Sequence, residues 1–239
     1  VAFAAVGAVM WVSYFVADKL TKGRIHGSAI AIALGLIAAY FGGIVTGGDK
    51  GVADLTLLGG IGLMGGGMLR DFAIVSTAFG VQLSELKKAG VAGVVSIFAG
   101  VLVSFIVGAL VAVIFGYTDP VAITTIGAGA VTYIVGPVTG EAIGASGDVI
   151  TLSVAAGLIK SILVMIGTPL VAKSIGLNNP QSAMVFGGLM GTTSGVAAGL
   201  AATDPKLVPY GAMTATFYTG VGCLLGPSLL FLAVSIIFQ

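Results

Sequence analysis

Residues 120–147 read PVAITTIGAGAVTYIVGPVTGEAIGASG, and the words Gly136-Pro137-Val138-Thr139-Gly140-Glu141 inside them decide how the chain is to be folded. Apolar runs flank those six residues, where a membrane helix would otherwise continue. Proline removes a backbone donor and clashes with the preceding turn, and glycine weakens a helix. Lipid cannot satisfy the freed backbone groups, so a broken helix is tolerated there only beside protein or a water-filled cavity. A carboxylate directly after the break argues for half of a solute site inside a membrane carrier. The plain alternative is a kinked helix with Glu141 at the membrane surface.

Working outward, the composition supports a membrane setting. The chain of 239 residues is 57% hydrophobic and 8% charged, with a mean hydropathy of +1.15, whereas soluble domains carry about 25% charged residues. Uncharged runs at Ser28–Gly48, Ala89–Thr118, Pro120–Gly140, Ser174–Thr203 and Leu207–Gln239 each reach the roughly 20 residues that cross a bilayer. The 39 glycines suit closely packed or interrupted membrane helices. Net charge is +1, which gives no footprint for nucleic acid. One cysteine, Cys223, and one histidine, His26, leave no disulfide framework and little for a metal cluster.

Val1–Ala17 predicts a first membrane helix, and the basic cluster Asp18–Arg24 predicts a cytoplasmic loop. Ser28–Gly48 predicts a second span. Leu55–Leu69 is short and rich in glycine. Either it crosses and Arg70–Lys88 is an amphipathic helix, or the whole stretch is a re-entrant hairpin. Ala89–Tyr117 and Val149–Val171 predict spans, the latter carrying Lys160. Ala183–Thr203 is a second interrupted segment containing Gly191-Thr192-Thr193-Ser194-Gly195, and Val208–Phe238 is one long span or a tight pair. Gly62-Leu63-Met64-Gly65 recurs as Gly188-Leu189-Met190-Gly191, an echo of the internal repeats of transporters.

Two segments concentrate the chemistry. A helix start after a break turns N–H groups and a positive dipole end toward a cavity, which suits an anion. The candidate substrate-binding residues are Thr132, Thr139, Gly140, Thr192, Thr193, Ser194 and Gly195. Hydroxyls inside an uncharged run are costly unless paired or wet, though small polar residues also serve simple helix packing. Glu141 and Ser146 are the candidates for cation coupling, with Na+ placed near Thr139, Glu141 and Ser194. Lys160, set in an apolar run, can pair with Glu141 or Asp148, attract an anion or snorkel, and pairing is the expectation because snorkelling from mid-run is awkward. No metalloprotease, hydrolase-elbow or nucleotide-binding motif is present. Ala145-Ser146-Gly147-Asp148 only approaches the motif of intramembrane aspartyl proteases. An enzyme is not expected, and no cofactor beyond a coupling cation.

From Arg24-Ile25-His26-Gly27-Ser28 onward the chain resembles the MadM subunit of malonate carriers. The likeness runs through Gly60–Val75, is strongest over Thr124–Gly147, and continues through Gly176–Ser182 and Phe186–Gly211. It covers essentially the whole chain. It implies a symporter of malonate with Na+ or H+, working with a smaller membrane subunit, MadL, in a bacterial cytoplasmic membrane; a dimer of such pairs is left open. A more distant likeness joins LrgB/CidB-type proteins, some of which carry small hydroxy-carboxylates. There Thr193-Ser194-Gly195 stands where those proteins have S-H-G, without the histidine.

The expected fold is therefore an all-α polytopic membrane protein. It has roughly 8–10 crossing or re-entrant helices, two or more of them broken, in one transporter domain spanning 1–239. The glycine echo suggests repeat units 1–117 and 118–239, which are inverted if each holds an odd number of crossings. The segments around Thr139–Glu141 and Thr192–Ser194 are expected to meet near mid-bilayer. A carrier of another small carboxylate and a membrane regulator that transports nothing are the competing readings.

Overall fold

The computed structural model describes residues 1–20, 27–48, 51–63 and 83–238. Among them it is all-helical, without a strand, and four helices are long and apolar enough to cross a bilayer. Contacts divide the chain into two compact units, Val1–Gly80 and Val81–Gln239.

The first unit contains α1 (Ala2–Leu20), α2 (Gly27–Thr46), a 3-10 turn (Gly51–Asp54) and the single turn α3 (Gly60–Leu63). The helices α1 and α2 correspond to the spans expected at Val1–Ala17 and Ser28–Gly48. They pack on each other where Gly27 meets the ring of Tyr14. Leu55–Gly59 forms turns rather than a span. The remainder of Leu55–Leu69, with Arg70-Asp71, lies outside the described residues, as do residues 21–26 of the expected cytoplasmic loop.

The second unit begins with α4 (Leu83–Ile114), which bends at Gly90, where φ is +65°. From Gly90 it runs 25 uncharged, largely apolar residues. There follow α5 (Pro120–Val131), α6 (Val135–Ile143), α7 (Gly147–Val171), α8 (Pro180–Met190) and α9 (Thr193–Ala201). The last elements are α10 (Val208–Leu225), a π-helical turn (Gly226–Leu230) and α11 (Phe231–Ile237). Starts are encoded locally. Asp119 accepts the Ala122 N–H at 2.9 Å ahead of Pro120, and Asn179 with Ser182 forms a capping box ahead of Pro180. Each satisfies orphan donors of a first turn.

The helices α5 and α6 have 12 and 9 residues, about 18 and 13 Å long, so neither crosses a hydrocarbon core of about 30 Å. They do not lie end to end either. A Cβ placed on Gly136 would come within 2.9 Å of the Gly129 Cα, and one on Gly140 within 2.7 Å of Thr125 Cγ2. That antiparallel register makes α5–α6 a re-entrant hairpin with its tip at Thr132–Ile134. The break thus falls ahead of Gly136-Pro137. Pro137 sits in the first turn of α6, where its missing N–H would have had no intrahelical partner. Here proline starts a helix rather than interrupting one.

A second hairpin is built from α8 and α9. A Cβ on Gly187 would reach the Gly211 carbonyl at 2.1 Å, and one on Gly191 would enter the Tyr218 ring, so α8 runs alongside α10 in the same direction. The helix α9 returns: a Cβ on Gly211 would meet both Leu200 Cδ1 at 2.3 Å and the Ala183 carbonyl at 3.2 Å. The last turn of α9 therefore lies level with the first turn of α8.

Between the hairpins stands α7. Its first half follows α5, with Gly129 against Ser153 and Gly157 against the Tyr133 N–H. Its second half follows α9, with Gly195 against the Ser161 carbonyl and Gly199 against Thr168. The mouth of the first hairpin is at the start of α7 and that of the second is at its end, so the two hairpins enter from opposite ends of the bundle. The glycine echo suggests repeat units at 1–117 and 118–239; the topological echo relates residues 90–143 to 147–201, each a long helix followed by a hairpin.

Candidate functional site

The two tips meet halfway along α7, at Lys160 and Ser161. At the first tip, Thr132 ends α5 in extended geometry. Its hydroxyl oxygen accepts the N–H groups of Ile134 at 3.2 Å and Val135 at 3.1 Å, capping the entry to α6. At the second tip, Gly191 closes α8 with φ +70°, a left-handed conformation that favours glycine. Thr192 is the N-cap of α9 and accepts from Gly195. Both threonines are buried. Each hairpin therefore turns at mid-height and starts its returning helix with a threonine cap.

Successive residues of α7 serve different tips. Ser161 shares a hydrogen bond with Thr192. Lys160 donates to the Val131 carbonyl at 2.9 Å, to Ser104 Oγ at 2.9 Å and to Tyr218 Oη at 3.0 Å. The Val131 carbonyl is among the last in α5, which have no intrahelical donor, and a cation there also meets the negative end of the helix dipole. Tyr218, fully buried on α10, donates in turn to the Gly100 carbonyl of α4 at 3.2 Å, and the ammonium stands 5.0 Å from its ring centroid. The hairpins also touch directly, through a long contact of 3.4 Å between Tyr133 Oη and Ser194 Oγ.

Of the residues expected to bind substrate, the structure brings together Thr132, Thr192 and Ser194. Thr193 is half-buried in the first turn of α9, and Gly195 presses on α7. Thr139 and Gly140 lie along α6, well past the tip: Gly140 faces Thr125 of its own hairpin, and Thr139 faces Gly226 of the π-turn. Glu141 and Ser146 are exposed near the mouth of the first hairpin. The expected meeting of Thr139–Glu141 with Thr192–Ser194 is thus replaced by one of Thr132–Tyr133 with Thr192–Ser194. Lys160 is bonded to a helix end, a serine and a tyrosine rather than to Glu141 or Asp148. Tyr133, Ser104, Ser161 and Tyr218 had no signal in the sequence beyond being polar in apolar runs.

A cavity of about 650 Å³ opens beside Lys160, against Gly108, Ala130, Ala156, Phe186 and Met190. Its walls are apolar apart from Lys160 and Thr168, which makes it a poor path for a charged solute. Among the described residues no cluster of His, Cys, Asp and Glu could hold a metal. Among the described residues the polar side chains gather at the tips: two helix starts, one ammonium and the hydroxyls of Ser104, Thr132, Tyr133, Ser161, Thr192, Ser194 and Tyr218.

No curated protein matches the chain, and no solved structure does. The family model described as the malonate/sodium symporter MadM subunit matches residues 1–238. Multi-pass helices, re-entrant hairpins and a family match over nearly every residue agree: the chain belongs to the MadM subunit family of malonate/sodium symporters, as a membrane-embedded subunit of a secondary transporter.

Proposed function

We propose that malonate binds where the two hairpin tips meet on α7. The observation that carries this reading is the approach of two helix starts, α6 and α9, to Lys160 from opposite ends of the bundle. Malonate is a dianion with two carboxylates on one carbon. Helix starts offer N–H groups and the positive end of a dipole. The hydroxyls of Thr132, Thr192 and Ser194 can donate to carboxylate oxygens, and Lys160 supplies one full charge. One lysine and two partial charges leave the dianion under-neutralised in a low-dielectric site, where unpaired charge is costly. A co-transported cation makes up the difference, and this is the physical reason for symport. Sodium is the ion favoured here, in keeping with the family's description.

Opposed hairpins also suit alternating access, because each closes the site toward its own side of the membrane. Lys173 and Lys206 flank the mouth of the second hairpin, and Lys87 and Lys88 precede the α4 span at the same end. Asp119 and Asp148 lie at the other end. The positive-inside rule then puts the second hairpin on the cytoplasmic side. The description of the family as a subunit supports a working unit with the smaller chain MadL, in a bacterial cytoplasmic membrane.

Labelled malonate uptake by the reconstituted pair tests the site. Lys160→Met should abolish uptake while the protein stays folded in the membrane. Wild-type uptake by that variant would remove the tips from consideration. Competition by glycolate but not by malonate would overturn the substrate.

A further inference from the structure

We propose that the Lys160 ammonium occupies the sodium site of the empty carrier, and that sodium takes its place when malonate draws the lysine away. The proposal rests on the reading of Lys160 as a malonate ligand and gives the coupled cation its place. An ammonium has three hydrogens to donate. Here they go to Ser104 Oγ at 2.9 Å, the Val131 carbonyl at 2.9 Å and Tyr218 Oη at 3.0 Å. None of these partners is a carboxylate, and no hydrogen is left over for malonate. Lys160 can therefore meet the dianion only by leaving oxygens that it now serves.

Those oxygens form a cation site in their own right. They come from three helices, α4, α5 and α10, and converge on one point. The hydroxyl hydrogen of Tyr218 is committed to the Gly100 carbonyl at 3.2 Å, so a lone pair faces the ammonium. The Val131 carbonyl ends α5. The N–H four residues on, of Val135, goes instead to the Thr132 hydroxyl at 3.1 Å, so the backbone does not satisfy that carbonyl itself. Val131 and Tyr218 are fully buried. Oxygens so placed are costly to leave without a partner in a low-dielectric interior, and the carbonyl also lies at the negative end of the α5 dipole. The vacated point thus calls for another cation. Carbonyl and hydroxyl oxygens are hard and neutral. They suit a monovalent hard ion better than a divalent one, with water or a malonate oxygen completing its shell.

Coupling follows without a long-range signal. Sodium and the ammonium compete for the same oxygens, so sodium binds poorly while Lys160 is in place. Malonate removes the competitor, and sodium then holds the first tip where the lysine held it. By reciprocity sodium raises the affinity for malonate by the same factor. With both bound, the two charges of the dianion are balanced by one ammonium and one sodium ion.

Equilibrium binding of radioactive sodium to the purified, full-length complex, with and without malonate, tests this directly. In the wild type malonate should raise sodium affinity about tenfold or more. Lys160→Met leaves the oxygens in place and removes their occupant. Without malonate it should bind sodium about tenfold or more tighter than the wild type does. Adding Ser104→Ala to that variant should weaken its sodium binding about fivefold or more. A gain of binding is not what damage to the fold produces. Sodium affinity that malonate leaves unchanged in the wild type overturns the site, and so does Lys160→Met binding sodium no better than the malonate-free wild type. If Lys160→Met does not fold, Ser104→Ala alone is read. It should weaken malonate-dependent sodium binding about fivefold or more, and unchanged affinity overturns the site. Failure of the malonate reading looks different: Lys160→Met would then bind malonate as the wild type does, whatever its affinity for sodium.

Discussion

The two hairpins have similar lengths and are held together differently. In the first, α5 and α6 lie against each other through Gly129, Gly136, Gly140 and Thr125. In the second, α8 leans on α10 and α4 while α9 leans on α7 and α10, with little contact between its own two arms. Small residues let membrane helices approach closely enough for dispersion to hold them. The first hairpin therefore carries its cohesion within itself and can shift as one body. The second takes its shape from its neighbours. The tips differ in the same sense: the end of α5 is held by the ammonium of another helix, and the end of α8 by its own left-handed glycine.

The sharpest way to break the comparison is Lys160→Met, which strips the first tip of its external support. Loss of a buried, hydrogen-bonded charge costs about 2–5 kcal/mol, so uptake of malonate should fall about 30-fold or more. The check is initial-rate uptake at constant membrane protein. Steric variants come next. Gly136→Ala drives a methyl group to 2.5 Å from Ser153 Oγ, and Gly191→Ala meets the Tyr218 ring while keeping φ +70°. Each should destabilise the protein by about 1–3 kcal/mol, read as a lowered melting temperature in detergent. Gly147→Ala, with nothing within 4 Å, is the control and should melt as wild type.

Cap removal has a smaller effect and separates the tips. Thr132→Val loses two accepted N–H bonds at the first tip, and Thr192→Val loses a cap together with the Ser161 bond. Losses of about 0.5–2 kcal/mol are expected for each, read as a rise in malonate KM. An unchanged KM in either variant would contradict the part its threonine is given at the tip. The smallest effect belongs to the direct bridge. Tyr133→Phe and Ser194→Ala should each slow uptake only about two- to threefold, since a contact at 3.4 Å is weak, and to the extent that both act by removing that one contact the double variant should be no worse than either.

Much of this was legible in the residues. Apolar run lengths marked α1, α2, α4 and α7, and the family words around Thr124–Gly147 and Phe186–Gly211 fell on the two hairpins. Proline and glycine suggest a break at Gly136-Pro137, but the chain turns ahead of them. Thr132-Tyr133-Ile134 contains neither, and a threonine cap leaves no compositional mark inside an apolar run. Whether two short helices continue in line or fold back depends on contacts between Gly129 and Gly136 that no local pattern reports. A clue was available in length: α5 and α6 are each too short to cross alone. The partners of Lys160 come from α4, α5 and α10, up to 58 residues away in sequence, so periodicity within α7 could not name them. Asp148, on the same helix, lies out of reach because three turns of α7 intervene.

Adjacent residues on α7 address different hairpins because neighbouring side chains on a helix diverge by about 100°. The consequence is genetic as much as mechanical. Many single substitutions along α7 leave that division intact, but one residue inserted or deleted between Gly157 and Ser161 turns everything upstream out of phase with everything downstream. The first hairpin's contacts at Ser153 and Gly157 would no longer agree in rotation with the second hairpin's at Ser161 and Thr168. The helix should thus tolerate spelling changes and reject frame-preserving changes in length, a pattern that a library of one-codon insertions would reveal as a silent gap across its middle.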